Sequence, residues 1–197
     1  MKKFLNRINF IVVCAVLIST NIGNAQSLKI DPKTFNMTIS GTTNVHDFTT
    51  KVTQVNGEIV LNGPKQVQSL IVSIPVKSIK SGEKLMDTKT YEAFNAEKYP
   101  VINFKLSEVS ALEINGEKIA VTLSGNLTMA GVTRKIQIRS TGVNSKTGTY
   151  DFRGSVSLKM TDFNMKPPTA MMGMMKVGNV ITLKYDATFY GEQLTLN

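Results

Sequence analysis

Apolar and polar residues alternate along most of this chain. In residues 150–160 one side carries Tyr150, Phe152, Val156, Leu158 and Met160, with Gly154 among them. The other side carries Asp151, Arg153, Ser155, Ser157 and Lys159. Successive side chains of a strand point to opposite faces, so this run has one dry face and one wet face. The same period recurs. Phe35, Met37 and Ile39 alternate with Asn36, Thr38 and Ser40, and a less regular stretch from His46 to Leu61 reads as a long strand or a bent pair. Leu70, Val72, Ile74 and Val76 share a face. Ile102, Phe104 and Leu106 open the next strand, and Ile119, Val121, Leu123, Leu127 and Met129 the one after. Val132, Ile136 and Ile138 precede the run at 150–160, and Ile181, Leu183, Tyr185, Ala187 and Phe189 form the last strand. The alternation predicts about eight strands.

Asn115-Gly116 lies between two alternating runs, a hairpin signal in which both turn residues take positive φ. Ala130-Gly131 and Thr147-Gly148 mark further tight links. Residues 101–160 therefore read as an up-and-down meander of four strands, with no room for the crossovers that parallel pairing needs. Two segments interrupt the pattern. Residues 83–98 place Leu85, Met86, Tyr91, Ala93 and Phe94 among polar residues before Tyr99-Pro100, which predicts a short amphipathic helix. Residues 161–177 form a long connection holding Pro167-Pro168, Met171, Met172, Met174 and Met175, a length typical of lids and binding loops. The fold class is all-β and antiparallel. Eight such strands can close a barrel or form a sandwich, and the spare helix and loop favour a barrel with covers at its mouth.

The start of the chain reads as a secretory leader. Lys2, Lys3 and Arg7 precede an apolar stretch from Ile8 to Ile18, and Gly23-Asn24-Ala25 offers small residues for cleavage. Cleavage after Ala25 is expected, leaving residues 26–197 as one exported domain. The single cysteine, Cys14, would leave with the leader, so the exported protein would hold no thiol or disulfide. The formal charge is +9; without Lys2, Lys3 and Arg7 the balance is 20 basic against 14 acidic residues. The basic residues are spread along polar faces, which excludes a nucleic-acid motif and leaves weak, transient attraction to anionic membrane head groups.

Chemistry-bearing residues are scarce. One histidine, His46, stands beside Asp47, which alternation points the other way, and no Gly-x-Ser-x-Gly elbow accompanies it. A hydrolase using His46 is one alternative; a structural histidine is the plainer reading. The methionines at 171, 172, 174 and 175 could gather Cu(I) through soft thioethers. They equally suit a flexible apolar lid, or simple packing over a barrel end.

Thr43-Asn44-Val45-His46-Asp47-Phe48, Tyr99-Pro100-Val101-Ile102-Asn103-Phe104, the stretch from Gly125 to Lys135, and the ending from Phe163 to Val180 together resemble the YceI-like family. The resemblance implies a lipocalin-like antiparallel barrel exported to the bacterial periplasm. It also implies a long isoprenoid lipid in the barrel interior, and no catalytic triad. The His-Asp-Phe segment resembles a structural signature, and the Met-rich loop an elaboration of this branch. The expectation is a non-enzymatic binder of an apolar, isoprenoid-type lipid, with no cofactor and no metal, periplasmic or secreted. Lipid contacts are expected from the inward strand residues Phe104, Phe152, Met160, Ile181, Leu183 and Tyr185. Covers are expected from Met86, Phe94, Phe163, Met171, Met172, Met174 and Met175.

Overall fold

The computed structural model describes residues 25–63, 66–145 and 148–191. Residues 1–24 of the expected leader and Thr147 lie outside these residues. In chain order the strands are β1 (Ala25–Ile30), β2 (Asn36–Thr43), β3 (Asp47–Val52), β4 (Asn56–Asn62), β5 (Val67–Pro75) and β6 (Ile79–Lys80). After helix α1 (Lys84–Phe94) come β7 (Val101–Asn115), β8 (Lys118–Met129), β9 (Val132–Asn144), β10 (Thr149–Lys159), β11 (Thr169–Ala170) and β12 (Met175–Tyr190).

The strands β1-β4-β5-β7-β8-β9-β10-β12 form a ring that β12 closes by pairing with β1 through Tyr190↔Lys29 and Phe189↔Ile30. All pairings are antiparallel, giving an eight-stranded barrel. Further along, β12 leaves β1 for β2, so β2 prolongs β1 as one broken barrel strand. In the same way β3 pairs with β2 beyond β4, and β6 pairs with β3. The stretch from His46 to Leu61 is thus a bent pair, broken at residues 53–55. There Thr53 donates its N–H and its Oγ1 hydrogen to the Ser78 carbonyl, each at 2.9 Å. Strand β1, absent from the sequence reading, buries Leu28 and Ile30.

The inward face follows the alternation. On β10 it holds Phe152, Val156 and Leu158, and on β12 Ile181, Leu183, Tyr185, Ala187 and Phe189, all within or against the core. The turn after β7 corrects the Asn-Gly expectation. Asn115 pairs with Lys118, so Gly116 and Glu117 are the central residues, and of these two Gly116 takes positive φ (60°). Ala130 and Gly131 both take positive φ, at 51° and 77°, as a type I′ link between Met129 and Val132 requires.

One barrel end gathers α1, the turn at residues 44–46, the Ala130-Gly131 turn and the long connection before β12. The opposite end carries the Gly116-Glu117 turn and the ends of β9 and β12. The helix begins without a side-chain cap and ends at Asn95 in the left-handed conformation (φ 49°), and Phe94 is its one buried residue.

Candidate functional site

Three aromatic rings of the inner wall lie across glycines of neighbouring strands. Tyr185 on β12 stands directly opposite Gly154 on β10, and Phe152 on β10 opposite Gly142 on β9. Phe104 reaches diagonally over Gly125 on β8. A Cβ at any of these glycines would fall within the ring it faces. The missing side chains let the rings lie along the wall and leave the axis free.

What remains is a cavity of about 220 Å³ inside the barrel. Its lining is aliphatic and aromatic, from Leu28, Met37 and Ile59 around through Phe104, Val121 and Ile138 to Phe152, Leu183 and Phe189. Two tyrosines, Tyr150 and Tyr185, and Ser140 are its polar side chains. The Tyr185 hydroxyl crosses above Gly154 and hydrogen-bonds Ser140 Oγ, so the two satisfy each other. Burial pushes the Tyr185 phenol above its ordinary range, against the smaller opposing effect of Ser140. Tyr185 is therefore a neutral hydroxyl at physiological pH. Among the described residues no buried side-chain polar atom lacks a hydrogen-bond partner.

A second cavity of about 60 Å³ lies under α1, lined by Phe48, Met86, Ala93, Met160, Met165, Pro168 and Val177. Ile39, Phe94 and Ile181 line both cavities and form the septum between them. The helix is tied down mostly by polar contacts at its edge. Tyr91 Oη donates toward the carbonyls of Ile79 (3.1 Å) and Lys77 (3.2 Å), and Lys80 Nζ donates to Tyr91 Oη at 2.7 Å. Asp87 accepts from the Ser81 N–H and Oγ, each at 2.7 Å. Partial burial alone would raise the Asp87 carboxyl, but the Ser81 hydrogen bonds and Lys80 outweigh it and hold it below the usual carboxylate range.

Of the residues singled out in the sequence, Phe94, Phe104, Phe152, Ile181, Leu183 and Tyr185 line the main cavity. Met86 and Met160 line the smaller one. Phe163 is buried in the core beside them and lines neither cavity. Met171, Met172 and Met174 are exposed, Met175 is half-buried, and none of the four reaches either cavity. The placement of the Met-rich segment as a cover is corrected accordingly. Residues 169–176 form a short β11–β12 hairpin whose tip carries Met171, Met172 and Met174 into solvent. The covering thioether is Met165, which follows Asn164 (φ 56°) where the chain turns back beneath the helix. Its position in an irregular connection gave no periodic signal.

His46 sits exposed in the β2–β3 turn. Its Nδ1 lies 2.9 Å from the Asp47 carbonyl oxygen, and its backbone N–H donates to Thr43 Oγ1 at 3.0 Å. Among the described residues no group of three or more His, Cys, Asp or Glu side chains is placed to hold a metal ion. A shallow groove of about 580 Å³ crosses the outer face of β7, β8, β9, β10 and β12 past Arg139, Arg153, Lys184 and Asp186, open to solvent.

An up-and-down barrel of eight strands around an apolar lumen defines a protein of the lipocalin-like class. Within that class the chain belongs to the family of the YceI-like domain, whose sequence profile matches residues 27–189. No curated protein matches it. Among solved structures it is similar to BcnA of Burkholderia cenocepacia, at 20% identity over 81% of this chain and 98% of that one, with a TM-score of 0.64. A polyisoprenoid-binding domain from Saccharophagus degradans, implicated in plant cell wall breakdown, is similar at 12% identity over 84% and 99% of the two chains, with a TM-score of 0.67. The YCEI protein of Campylobacter jejuni is similar at 21% identity over 73% and 84%, with a TM-score of 0.57.

Proposed function

We propose that this protein is a non-enzymatic, exported binder of an apolar, isoprenoid-type lipid, held inside the barrel for transport, storage or sequestration. One observation carries the reading: the lumen is lined by apolar side chains, and its Tyr185 and Ser140 hydroxyls already satisfy each other. Such a space gains from any hydrocarbon that fills it, by about 0.8 kcal/mol per CH₂ removed from water. It offers no charge to a polar guest, and its few hydroxyls, Tyr150, Tyr185 and Ser140, are uncharged. The polyisoprenoid-binding neighbour suggests the chemical class of the guest, at an identity that transfers the fold alone. A polar head group would stay at the barrel end near α1, and export follows from the leader expected over residues 1–25.

The test is organic extraction of the purified protein followed by mass spectrometry, beside a variant in which Leu123→Trp and Val156→Trp fill the lumen. Isoprenoid lipid in the native extract and its absence from the filled, folded variant are the expected results. A native extract free of lipid would sink the reading.

A further inference from the structure

The β11–β12 hairpin places apolar side chains where folding alone would not. Met171 is 60% exposed, Met172 104% and Met174 69%. Met171 and Met172 also hold left-handed backbone, at φ 52° and 55°, before Gly173 at φ 90°. That conformation is unfavourable for residues with a Cβ, and glycine or asparagine would hold it with less strain. The tip is thus doubly unfavourable for a free surface in water, and strain of this kind clusters at functional sites.

The tip is also fixed in place. Asn44 Nδ2 donates to the Met174 carbonyl at 2.8 Å, and Asn44 Oδ1 accepts from the Lys176 N–H at 2.7 Å. The β2–β3 turn is thereby bound to it, and Val45 on that turn is 65% exposed. Helix α1, at the same barrel end, leaves Leu85 58% exposed in its first turn.

The charge along the hairpin itself selects the partner. From Lys166 to Lys176 the chain carries no carboxylate, and both lysines are exposed. Neither belongs to an ion pair among the described residues. Thioethers projecting between free lysines match an anionic lipid interface, with hydrocarbon below and phosphates at the level of the amines. We propose that this barrel end docks on an anionic lipid bilayer, inserting Met171, Met172 and Met174 and setting Lys166 and Lys176 among the head groups. Its geometry goes beyond the cavity, though it rests on the lipid-carrier reading for why such a protein would visit a membrane.

The sequence contains no tryptophan, so Met172→Trp gives a single reporter at the tip. The reporter reads the tip itself, whatever other part of the chain touches lipid. Phosphatidylethanolamine–phosphatidylglycerol vesicles should shift its emission to the blue, and brominated acyl chains should quench it. Pure phosphatidylcholine and high salt should weaken both effects. The same reporter at Asn115→Trp, on the opposite end, should stay unshifted. M171S/M172S/M174S should lower co-sedimentation with the anionic vesicles by about tenfold or more. K166E/K176E should do so on anionic vesicles only. An unshifted reporter at 172, or an equal shift at 115, would overturn the proposal. So would a shift that rises with protein concentration in the absence of vesicles, which would mean that a second copy covers the tip. Organic extraction of the same preparations reads the cargo separately. Lipid present without vesicle docking overturns this proposal and leaves the carrier reading, and docking without lipid does the reverse.

Discussion

Gly154→Ala tests whether the wall glycines keep the lumen open. A Cβ at Gly154 would lie 2.6 Å from Tyr185 Cζ and 2.9 Å from the Arg139 carbonyl oxygen. The backbone oxygen is fixed by the β9–β10 ladder, so the tyrosine must move. It can move only inward, into the cavity of about 220 Å³, and in doing so it leaves Ser140. Overpacking of this kind costs about 1–3 kcal/mol. A buried hydroxyl without a partner costs about 1–3 kcal/mol more. The lower chain entropy of alanine returns about 0.5–1 kcal/mol. At the middle of these ranges the net loss is about 3 kcal/mol, and for a domain of this size it lowers Tm by roughly 6–12 °C. The assay is thermal unfolding of delipidated protein, because bound lipid would itself raise Tm. Extracted lipid per protein should fall alongside. Adding Tyr185→Leu and Ser140→Ala removes both the collision and the orphaned hydroxyl, and should restore most of the stability. A Gly154→Ala protein as stable as the parent, with its full lipid complement, would refute the reasoning.

Phe94→Ala removes the helix's part of the septum and should cost about 3 kcal/mol, while Phe94→Leu keeps the seal; chemical denaturation measures the first and lipid transfer to vesicles the second. The Asp87 carboxyl, held below its ordinary value, stabilises the helix above the unfolded value of about 4, and that support is lost as pH falls through the lower folded value. The protection of α1 amides against exchange, relative to their intrinsic rates, should therefore fall only in acid, and Asp87→Asn should show the lower protection already at neutral pH. Tyr185, raised by burial, supports the fold below the ordinary tyrosine value of about 10 and ceases to do so as pH climbs through its higher folded value. Ultraviolet titration should find one late tyrosine that disappears in Tyr185→Phe. Met172→Gly relieves the left-handed strain and should raise stability by about 1 kcal/mol in a denaturant titration while weakening vesicle binding.

The fold was legible wherever a strand kept its period. The run at 150–160 alternates without a break from Asp151 to Leu158, and it pairs along its length with β12. Strand β1 escaped because Gln26 to Ile30 offers only Leu28 and Ile30 beside an apolar leader. The inward register also located Phe104, Phe152, Ile181, Leu183 and Tyr185, since parity alone decides which face a side chain joins. Parity could not show that Gly142 faces Phe152 or that Gly154 faces Tyr185, because those pairings depend on cross-strand register. An open lumen is a property of those pairs, so composition left a filled and an empty barrel equal. The Met-rich segment failed for a different reason. Its direction is set by three successive positive φ values at Met171, Met172 and Gly173, which no hydrophobic period encodes.

The septum indicates which end exchanges a guest. Most of the wall is hydrogen-bonded strand, and parting two such strands, β7 and β8 or β10 and β12 for example, breaks several paired hydrogen bonds at once. At the other boundary stands Phe94, the one residue that α1 buries. Swinging that helix away exposes Phe94, about 1.5–3 kcal/mol of burial, and the half-buried Met86, Tyr91 and Ala93, together with edge contacts of Tyr91 and Asp87 that water can replace. An eleven-residue helix has little stability of its own in water, so it can loosen as readily as it lifts. The two cavities then become one passage, running from the lumen past Ile39 and Ile181 to Met86 and Pro168. That passage emerges at the barrel end that carries the exposed methionine tip. A guest leaving by the least costly route therefore meets whatever surface the tip has engaged. Were that surface a bilayer, the hydrocarbon would pass from lumen to membrane with little of its length crossing water.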